Sequence, residues 1–276
     1  DVEYRPTSVF DMDAGGWPGD WEGRTILALV LLSRATGRKP AYLEEILDAL
    51  KVNLNEKGYL EEILAPGLVN EQQLSGHNWL LRGLLEYYIW TGREDIADIA
   101  KDIVENLFLP TKGRYGDYPT KPQQRSSAGG AAGHIGGKPI NDWYLSTDIG
   151  CAFISLDALS QYYEIFQDHR VGALIDEMAQ VFMEIDFLEA NMQTHASLSA
   201  CRGLMRYYQN TGRQELLDFI IGFYDFYKLH GMTENYANFN WFGRPTWTEP
   251  CAVVDSYILS VELFKKTINQ IEKVIL

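Results

Sequence analysis

Apolar residues recur along this chain at steps of three and four positions, the spacing that places them on one face of an α-helix. One such run carries the apolar set Ile96, Ile99, Ile103, Val104 and Leu107. Similar runs occur in pairs, and a Gly or polar turn separates the two members of each pair. Because glycine just past a helix end readily adopts the left-handed cap conformation, each pair predicts a helical hairpin.

The hairpins form a degenerate internal repeat. Three turns end in Thr-Gly-Arg, at residues 36–38, 91–93 and 211–213, and a diverged fourth turn lies near Asp168. The second helix of each hairpin is predicted over residues 42–53, 95–108, 171–187 and 214–230. A fifth apolar run predicts a further helix over 252–267 that continues toward residue 276. Strand patterns are nearly absent, so the repeat predicts an all-α toroid of stacked hairpins, a single domain over residues 1–276.

The charge balance argues against some classes of partner. The chain carries 38 Asp and Glu against 24 Lys and Arg, a formal net charge of −14. This balance disfavours nucleic acid and anionic membrane surfaces, and the longest apolar run, residues 26–32, is too short to span a bilayer. Three widely spaced cysteines predict no disulfide framework. Since no signal peptide opens the sequence, we expect a cytoplasmic protein.

Polar and aromatic residues cluster where the inner helices of the hairpins are expected to begin. In a ring of hairpins these starts converge on the axis, where positive helix N-termini and capping side chains face one cavity. Structural explanations exist as well: Asp20, Asp148 and Thr194 as N-caps, and the histidines as core residues. The recurrence at equivalent points of four hairpins favours a common polar pocket that contains Trp21, His77, Asp142, Trp143, Asp148 and His195.

The loop before the fifth helix combines two carboxylates and a thiol with aromatic residues. Residues 234–251 contain Glu234, Glu249 and Cys251 among Trp, Tyr and Phe, and Gly and Pro interrupt the segment. Aromatic rings stack on sugar faces, and desolvation raises the pKa of a carboxyl so that it can act as an acid. Loops of this length are usually functional. The segment therefore predicts a sugar site, and His134 in another long loop is a candidate lid residue.

Short motifs along the chain resemble those of the β-L-arabinofuranosidase group of glycoside hydrolases, family 127 and its relatives. In order along the hairpin repeat, the motifs are Gly58-Tyr59-Leu60, Gly76-His77, Thr194-His195-Ala196 and Glu249-Pro250-Cys251-Ala252. The resemblance runs from about Asp20 to Phe264. It implies a six-hairpin (α/α)6-type toroid, here incomplete and without the β-sandwich domains that usually follow it in that family.

The resemblance also implies roles for individual residues. Glu234 matches the family's general acid/base. Glu249 and Cys251 match two ligands of a zinc ion, and His77 and His195 match histidines that contact the sugar. Glu is a competent proton donor when its pKa is raised, and a Glu and Cys pair suits zinc.

One departure from the family pattern matters for the chemistry. The family's nucleophile is a cysteine in an adjacent Cys-Cys pair, and this chain contains no such pair. Two ligands do not complete a zinc site. Either the chain is a fragment or a divergent form of the family, or Glu234 and Glu249 work as an acid/base pair, together with Asp142 or Asp148.

These residues predict a glycoside hydrolase that acts on a terminal sugar of a glycan, with an L-arabinofuranoside as the substrate implied by the resemblance. Glu234 is expected to protonate the leaving oxygen, and Glu249 to hold a metal or serve as the second carboxylate. The other pocket residues are expected to bind the carbohydrate. Two alternatives stay open. An unsaturated glycuronyl hydrolase or a sugar epimerase would make Asp148 or Asp142 central, and a non-catalytic protein would bind sugar or act as a scaffold.

Overall fold

The computed structural model describes residues 5–10, 17–125 and 138–275. A π-helical segment, Val104–Phe108, continues one α-helix, and a 3-10 segment, Cys151–Ser155, leads into another. No helix in this described part combines the length and apolarity needed to cross a bilayer. In chain order the α-helices are α1 (Pro6–Val9), α2 (Asp20–Thr36), α3 (Leu43–Asn53), α4 (Glu71–Thr91), α5 (Glu94–Ile103), α6 (Leu156–Phe166), α7 (His169–Glu184), α8 (Thr194–Thr211), α9 (Gln214–His230) and α10 (Pro250–Ile275).

The helices form hairpins that stack side by side. α2 pairs with α3, α4 with α5, α6 with α7, and α8 with α9, and α10 follows them. The inner helices are α2, α4, α6, α8 and α10, and each contacts the next in this order. The all-α toroid of hairpins expected from the sequence is therefore confirmed, and no β-sandwich occurs among residues 5–10, 17–125 and 138–275.

The hairpin turns follow from their capping residues. Gly37, Gly92 and Gly212 take left-handed φ values of 69°, 70° and 70°, and the N–H of each donates to the carbonyl four residues earlier at 2.8 Å. The diverged turn has no glycine, and Gln167 takes the left-handed conformation there with φ of 53°. Asp168 then caps α7 by accepting a hydrogen bond from a backbone N–H at 2.9 Å. A polar cap thus replaces glycine at the fourth turn.

The N-caps expected from the sequence are wrong. Asp20 and Thr194 are the first helical residues of α2 and α8, and the residues before them are Gly19 and Gln193. Gly19, the residue before α2, has a left-handed backbone conformation with φ of 87°. Asp148 lies outside any helix, before the 3-10 segment that leads into α6. Its side chain is therefore available for other partners.

A short parallel strand pair fixes one loop beside the start of α4. β1 (Val69–Asn70) pairs with β2 (Trp143–Tyr144), and Val69 lies opposite Trp143. Two residues per strand are too few to produce the alternating pattern that identifies a strand in a sequence. Asn70 also caps α4, because its side-chain oxygen accepts hydrogen bonds from two backbone N–H groups at 3.0 and 3.3 Å.

A network of buried charges joins four of the inner helices. Asp157 of α6 is fully buried and pairs with Arg82 of α4 at 3.2 Å and with Arg202 of α8 at 3.4 Å. Arg202 also pairs with Asp255 of α10, which is buried as well. Buried charges are costly unless they are paired. The helices must therefore keep the relative positions in which these side chains meet.

Two glycines bring the backbones of neighbouring inner helices into contact. A Cβ on Gly23 of α2 would lie 2.1 Å from the backbone nitrogen of Leu80 in α4. A Cβ on Gly203 of α8 would lie 2.3 Å from the backbone of Leu156 in α6. Neither approach leaves room for a side chain, so glycine is required at these points although it weakens a helix interior.

Gly23→Ala and Gly203→Ala are expected to destabilise the protein, because the added methyl group overlaps backbone atoms of the next helix. Each should lower the free energy of unfolding by about 1–3 kcal/mol, the usual cost of overpacking. Gly222→Ala in α9 is the matched control, since a Cβ there meets nothing within 4 Å. This change should instead stabilise the helix by about 0.5–1 kcal/mol. Urea denaturation measures all three, and equal effects would contradict this packing.

Candidate functional site

The starts of the inner helices meet at one end of the stack. A Cβ on Gly76 near the start of α4 would lie 2.1 Å from the carbonyl oxygen of Pro18, just before α2. Gln193, just before α8, bonds both Cys151 at the entry to α6 and Glu249 at the entry to α10. Polar residues that are distant in the sequence therefore gather around one end of the fold.

Asp148 and Glu249 share the side-chain amide of Gln193. The Nε2 of Gln193 donates to Oδ2 of Asp148 and to Oε2 of Glu249, each at 3.2 Å. The Oδ1 of Asp148 accepts a hydrogen bond from Nε1 of Trp241 at 2.6 Å. The Oε1 of Gln193 accepts from the Cys151 thiol at 3.7 Å. Neutral donors thus fix the positions of the two carboxyl groups.

The environment of Asp148 favours its protonated form. Burial raises the pKa of Asp148, the hydrogen bond from Trp241 acts in the opposite direction, and the charge of Glu249 raises the pKa further. A carboxyl with a raised pKa keeps its proton at a higher pH than an exposed one and can pass it to a leaving group. Asp148 is therefore a candidate proton donor in this site.

His195 carries a buried ring nitrogen that no described residue bonds. The residue is 4% exposed, and its ring stacks on Trp79 with 6.0 Å between the ring centroids. Its Nδ1 lies 2.6 Å from Oδ2 of Asp255, while its Nε2 lacks a hydrogen-bond partner in the described part of the chain. An unsatisfied buried polar atom costs free energy. The free nitrogen therefore indicates a place where a ligand, a proton or an ion binds.

Asp255 holds the His195 ring in this orientation. Burial alone would disfavour the charged carboxylate, but His195 and Arg202 outweigh it and lower the pKa of Asp255 to about 2. The Ser199 hydroxyl also donates to the carboxylate at 2.9 Å. A carboxylate on Nδ1 selects the tautomer that leaves Nε2 open, as in histidine general bases and in histidines that bind metals.

His195, Glu249 and Cys251 have ligand atoms that all lie within 4.8 Å of one another. Imidazole, carboxylate and thiolate donors suit zinc, and a carboxylate such as Asp255 commonly orients a zinc-binding histidine. The resemblance to family 127 implied only Glu249 and Cys251 as ligands, and the structure brings His195 to them. The three residues fit a zinc ion with three protein ligands, the number usual in catalytic sites.

A cavity of about 290 Å³ opens beside Asp148. This volume lies near the lower end of small-molecule pockets, roughly 300 Å³, and suits a single sugar unit. Charged, polar and aromatic side chains supply much of its wall, so it offers both hydrogen bonds and a stacking surface. Its lining includes Arg125, Thr147, Asp148, Asn191, Trp241 and Arg244.

Glu234 lies outside this cluster of hydrogen bonds. Its side chain is exposed in a turn after α9, and no described residue forms a hydrogen bond or an ion pair with it. The resemblance to family 127 implied that Glu234 is the general acid. The loop turns this side chain toward solvent, so the structure gives that role no geometric support.

His77 is a structural residue in α4. It is fully buried, its Nε2 accepts a hydrogen bond from the N–H of Leu60 at 2.9 Å, and its Nδ1 lies 2.8 Å from the carbonyl oxygen of Gln73. Burial lowers the pKa of His77 to about 4. Both ring nitrogens are occupied by the backbone, so neither is free for a sugar hydroxyl.

Three more predicted pocket residues do not line the cavity. Asp142 is exposed and pairs with Arg114 at 3.3 Å. Trp143 is fully buried and donates its Nε1 hydrogen bond to the Arg114 carbonyl at 3.3 Å, so its ring packs in the core instead of stacking on a ligand. Trp21 exposes 53% of its surface at the start of α2. His134 lies outside the described residues.

Gln193, Trp241 and Asp255 are site residues that the sequence patterns did not single out. Gln193 precedes an inner helix and Trp241 lies in the aromatic loop. Their positions in the sequence could therefore have identified both as candidate site residues. Asp255 lies four residues after Cys251 and thus on the same face of α10, one turn further along. A carboxylate one turn after Cys251, within the largely apolar first turns of α10, was the available signal.

Glu22 is another carboxyl with a raised pKa. Burial, with contributions from Asp20 and Glu61, raises the pKa of Glu22 to about 7. Neither Glu22 nor Glu249 lines the cavity beside Asp148, but Glu249 shares the Gln193 amide with Asp148 and Glu22 does not. The position of Glu22 therefore gives no support for a role in proton transfer at that cavity.

Comparisons with known proteins support the fold. No protein-family model matches this chain, and no curated protein matches it in sequence. Solved structures with a similar fold include a GH76 alpha-mannanase from Bacteroides thetaiotaomicron, at a TM-score of 0.57 and 13% identity, over 92% of this chain and 71% of that one. They also include a D-mannose isomerase, at a TM-score of 0.56 and 11% identity, over 90% and 72%. These likenesses support a toroid, not family 127 in particular.

We expect the purified protein to bind about one zinc ion per chain, because three suitable donors, from His195, Glu249 and Cys251, lie within 4.8 Å of one another. Elemental analysis after dialysis against trace zinc measures the stoichiometry. Cys251→Ser and His195→Gln should reduce the zinc content to near zero. Cys201→Ala is the control, since Cys201 is a buried cysteine outside the group and its loss should leave the zinc content unchanged.

Thermal unfolding provides a second measurement of the same site. An ion that binds only the folded state raises the Tm in a concentration-dependent manner. A chelator should therefore lower the Tm of the wild type but not that of Cys251→Ser. A metal-free protein whose Tm does not respond to added zinc would contradict this prediction.

Proposed function

We propose that this protein is a glycoside hydrolase in which Asp148 donates the proton to the leaving oxygen. The proposal is carried by one observation: two half-buried carboxyls share the Gln193 amide, and one of them, Asp148, forms part of the wall of a cavity that suits one sugar unit. The fold is shared with proteins that, by their names, act on mannans and on mannose. A sugar-acting enzyme is thus the class that site and fold both support.

Asp148 and Glu249 have different tasks in this proposal. Burial raises the pKa of Asp148 above its ordinary value, and the bonds from Trp241 and Gln193 hold the side chain in place. As the glycosidic bond breaks, Asp148 passes the proton to the departing oxygen. Glu249 brings negative charge to the oxocarbenium-like transition state. Asp148 then accepts a proton from the water that completes the reaction.

Cys251 needs a positive partner to act as a thiolate. Burial raises the pKa of the Cys251 thiol, which makes the free side chain a poor nucleophile. Zinc, when bound by His195, Glu249 and Cys251, would supply a Lewis acid beside the carboxyl pair. The proton donor in the proposal is Asp148 with or without this ion.

A terminal L-arabinofuranoside is the first substrate to test, because the motif resemblance implies it. Alpha-mannosides are the second set, because the GH76 relative in fold is an alpha-mannanase. The cavity suits one sugar unit, which favours action at a chain end over cleavage within a chain.

A sugar isomerase or epimerase is the second candidate, and the Asp255–His195 pair favours it. Such reactions move a proton between carbon atoms and need a base with a free nitrogen or oxygen. The Nε2 of His195 is free, and Asp255 selects the tautomer in which it can accept a proton. This candidate requires that no metal ion occupies Nε2.

Asp148→Asn should lower kcat for the preferred glycoside by about 10²–10⁴-fold, the usual contribution of a general acid. The loss should be smaller for a nitrophenyl glycoside, because that leaving group needs little protonation. In the wild type, kcat should fall as the pH rises through the raised pKa of Asp148, since the deprotonated acid has no proton to give. Steady-state kinetics on a panel of glycosides measures each effect.

Glu234→Gln is the matched control for this experiment. It makes the same carboxyl-to-amide change at an exposed side chain, and activity should stay near the wild-type value. Loss of activity in Glu234→Gln together with an active Asp148→Asn would refute the assignment. Tight sugar binding without turnover on the whole panel would indicate a non-catalytic binding protein instead.

Exchange of hydrogen at carbon separates the second candidate from the first. A hydrolase leaves the C–H bonds of its sugar intact, so we expect no deuterium at C2 when free mannose is incubated with the enzyme in D₂O. Proton NMR measures the exchange. Exchange that occurs in the wild type and is lost in His195→Gln would assign the protein to the isomerases.

A further inference from the structure

The cavity beside Asp148 contains an arginine without an acidic partner. Arg244 lines the cavity, and no carboxylate in the described part of the chain forms an ion pair with it. By contrast, Arg82, Arg125 and Arg202 all pair with buried carboxylates. The chain has 38 acidic against 24 basic residues, so acidic partners are abundant. Arg244 is exposed to solvent, so what distinguishes it from other surface arginines is its place in the wall of the cavity beside the proposed proton donor, where a negatively charged ligand can pair with it.

Trp241 holds the Arg244 guanidinium in place. The guanidinium carbon lies 4.2 Å from the Trp241 ring centroid, and the N–H of Arg244 donates to the Trp241 carbonyl across a tight turn at 3.3 Å. Trp241 in turn bonds Asp148 at 2.6 Å. The positive charge thus has a defined position relative to the proton donor. Stacking engages the face of the guanidinium and leaves its N–H edges for hydrogen bonds.

Arg125 is a second arginine in the lining of the same cavity. Its side chain is 4% exposed, and its charge is paired with Glu71. Its Nε has no hydrogen-bond partner among the described residues. This nitrogen is itself inaccessible, and the Arg125 charge is compensated by Glu71. The positive charge that the cavity offers to a ligand is therefore that of Arg244.

We propose that the cavity binds a sugar that carries a carboxylate, a hexuronate, and that Arg244 pairs with this carboxylate. The inference rests on the proposed function, because it names the substrate class of the same site. A guanidinium presents two parallel N–H donors that match the two oxygens of a carboxylate. A sugar phosphate carries nearly two negative charges, which one unpaired cation next to Asp148 and Glu249 does not balance. A single carboxylate is therefore the better match.

The proposed chemistry is compatible with an anionic substrate. Asp148 must be neutral when it acts as the acid, so it does not repel the carboxylate of the bound sugar. Glu249 does not line the cavity, and the Gln193 amide bonds it as well as Asp148. Arg244 then provides the local positive charge that keeps a uronate in a protein with net charge −14.

The test compares the binding of D-glucuronate and D-glucose to the wild type, Arg244→Gln, Arg244→Lys and Arg38→Gln by NMR titration. Arg38 is the matched control, because it is exposed and unpaired beyond the C-terminal end of α2, whereas the candidate site lies at the opposite helix ends. The wild type should bind glucuronate about tenfold or more tightly than glucose, as expected for charge-assisted hydrogen bonds. Arg244→Gln should abolish this preference, Arg244→Lys should retain part of it, and Arg38→Gln should retain all of it.

Three results would overturn the inference. They are equal affinity of the wild type for both sugars, equal losses in Arg244→Gln and Arg38→Gln, and tighter binding of D-glucose 6-phosphate than of glucuronate. The Tm of each variant shows whether the fold is intact, and Arg244→Lys separates loss of charge from loss of packing on Trp241. Because no turnover is involved, binding can fail here while hydrolysis through Asp148 stands.

Discussion

The buried pairing of Asp157 and Asp255 with arginines is the interaction on which the rest of the structure depends. It connects α4, α6, α8 and α10 through side chains that cannot be separated without leaving a charge unpaired in the core. Removal of one partner from such a network is far more costly than the network itself is stabilising. The same Asp255 orients His195, so the constraint that holds the helices together also prepares one side of the site.

The candidate site has two sides that meet at Glu249. On one side, Trp241 and Gln193 hold Asp148 in the wall of a cavity, where burial raises its pKa. On the other side, Asp255 leaves one nitrogen of His195 open. Glu249 accepts a hydrogen bond from Gln193 on the first side. On the second side, its carboxylate lies within 4.8 Å of the ligand atoms of His195 and Cys251. Proton transfer and metal binding can therefore take place next to each other in one small volume.

The local features expected from the sequence are found in the structure more often than the expected roles of single polar residues. Gly37, Gly92 and Gly212 ended their helices where the sequence indicated, because a left-handed cap is a local property of glycine. Glu249, Cys251, His195 and Asp148 were expected in one pocket and do lie close together. Glu234 and His77 were chosen from the same kind of motif, yet one faces solvent and the other bonds only backbone. Whether a polar residue at a helix start faces a cavity depends on partners that its own segment does not contain.

By itself, the sequence determined that the chain forms helices in hairpins and that the loop before the last helix is rich in acids and aromatic rings. These properties depend on periodicity and turn chemistry, which act over a few residues. Only the tertiary structure decided that Trp241 bonds the half-buried Asp148, that Asp255 reaches His195, and that Arg244 lines the cavity without an ion pair to any described carboxylate. Those outcomes depend on pairs that are far apart in the chain, such as Asp148 and Trp241. Long-range contacts of this kind leave no periodic trace in a single sequence.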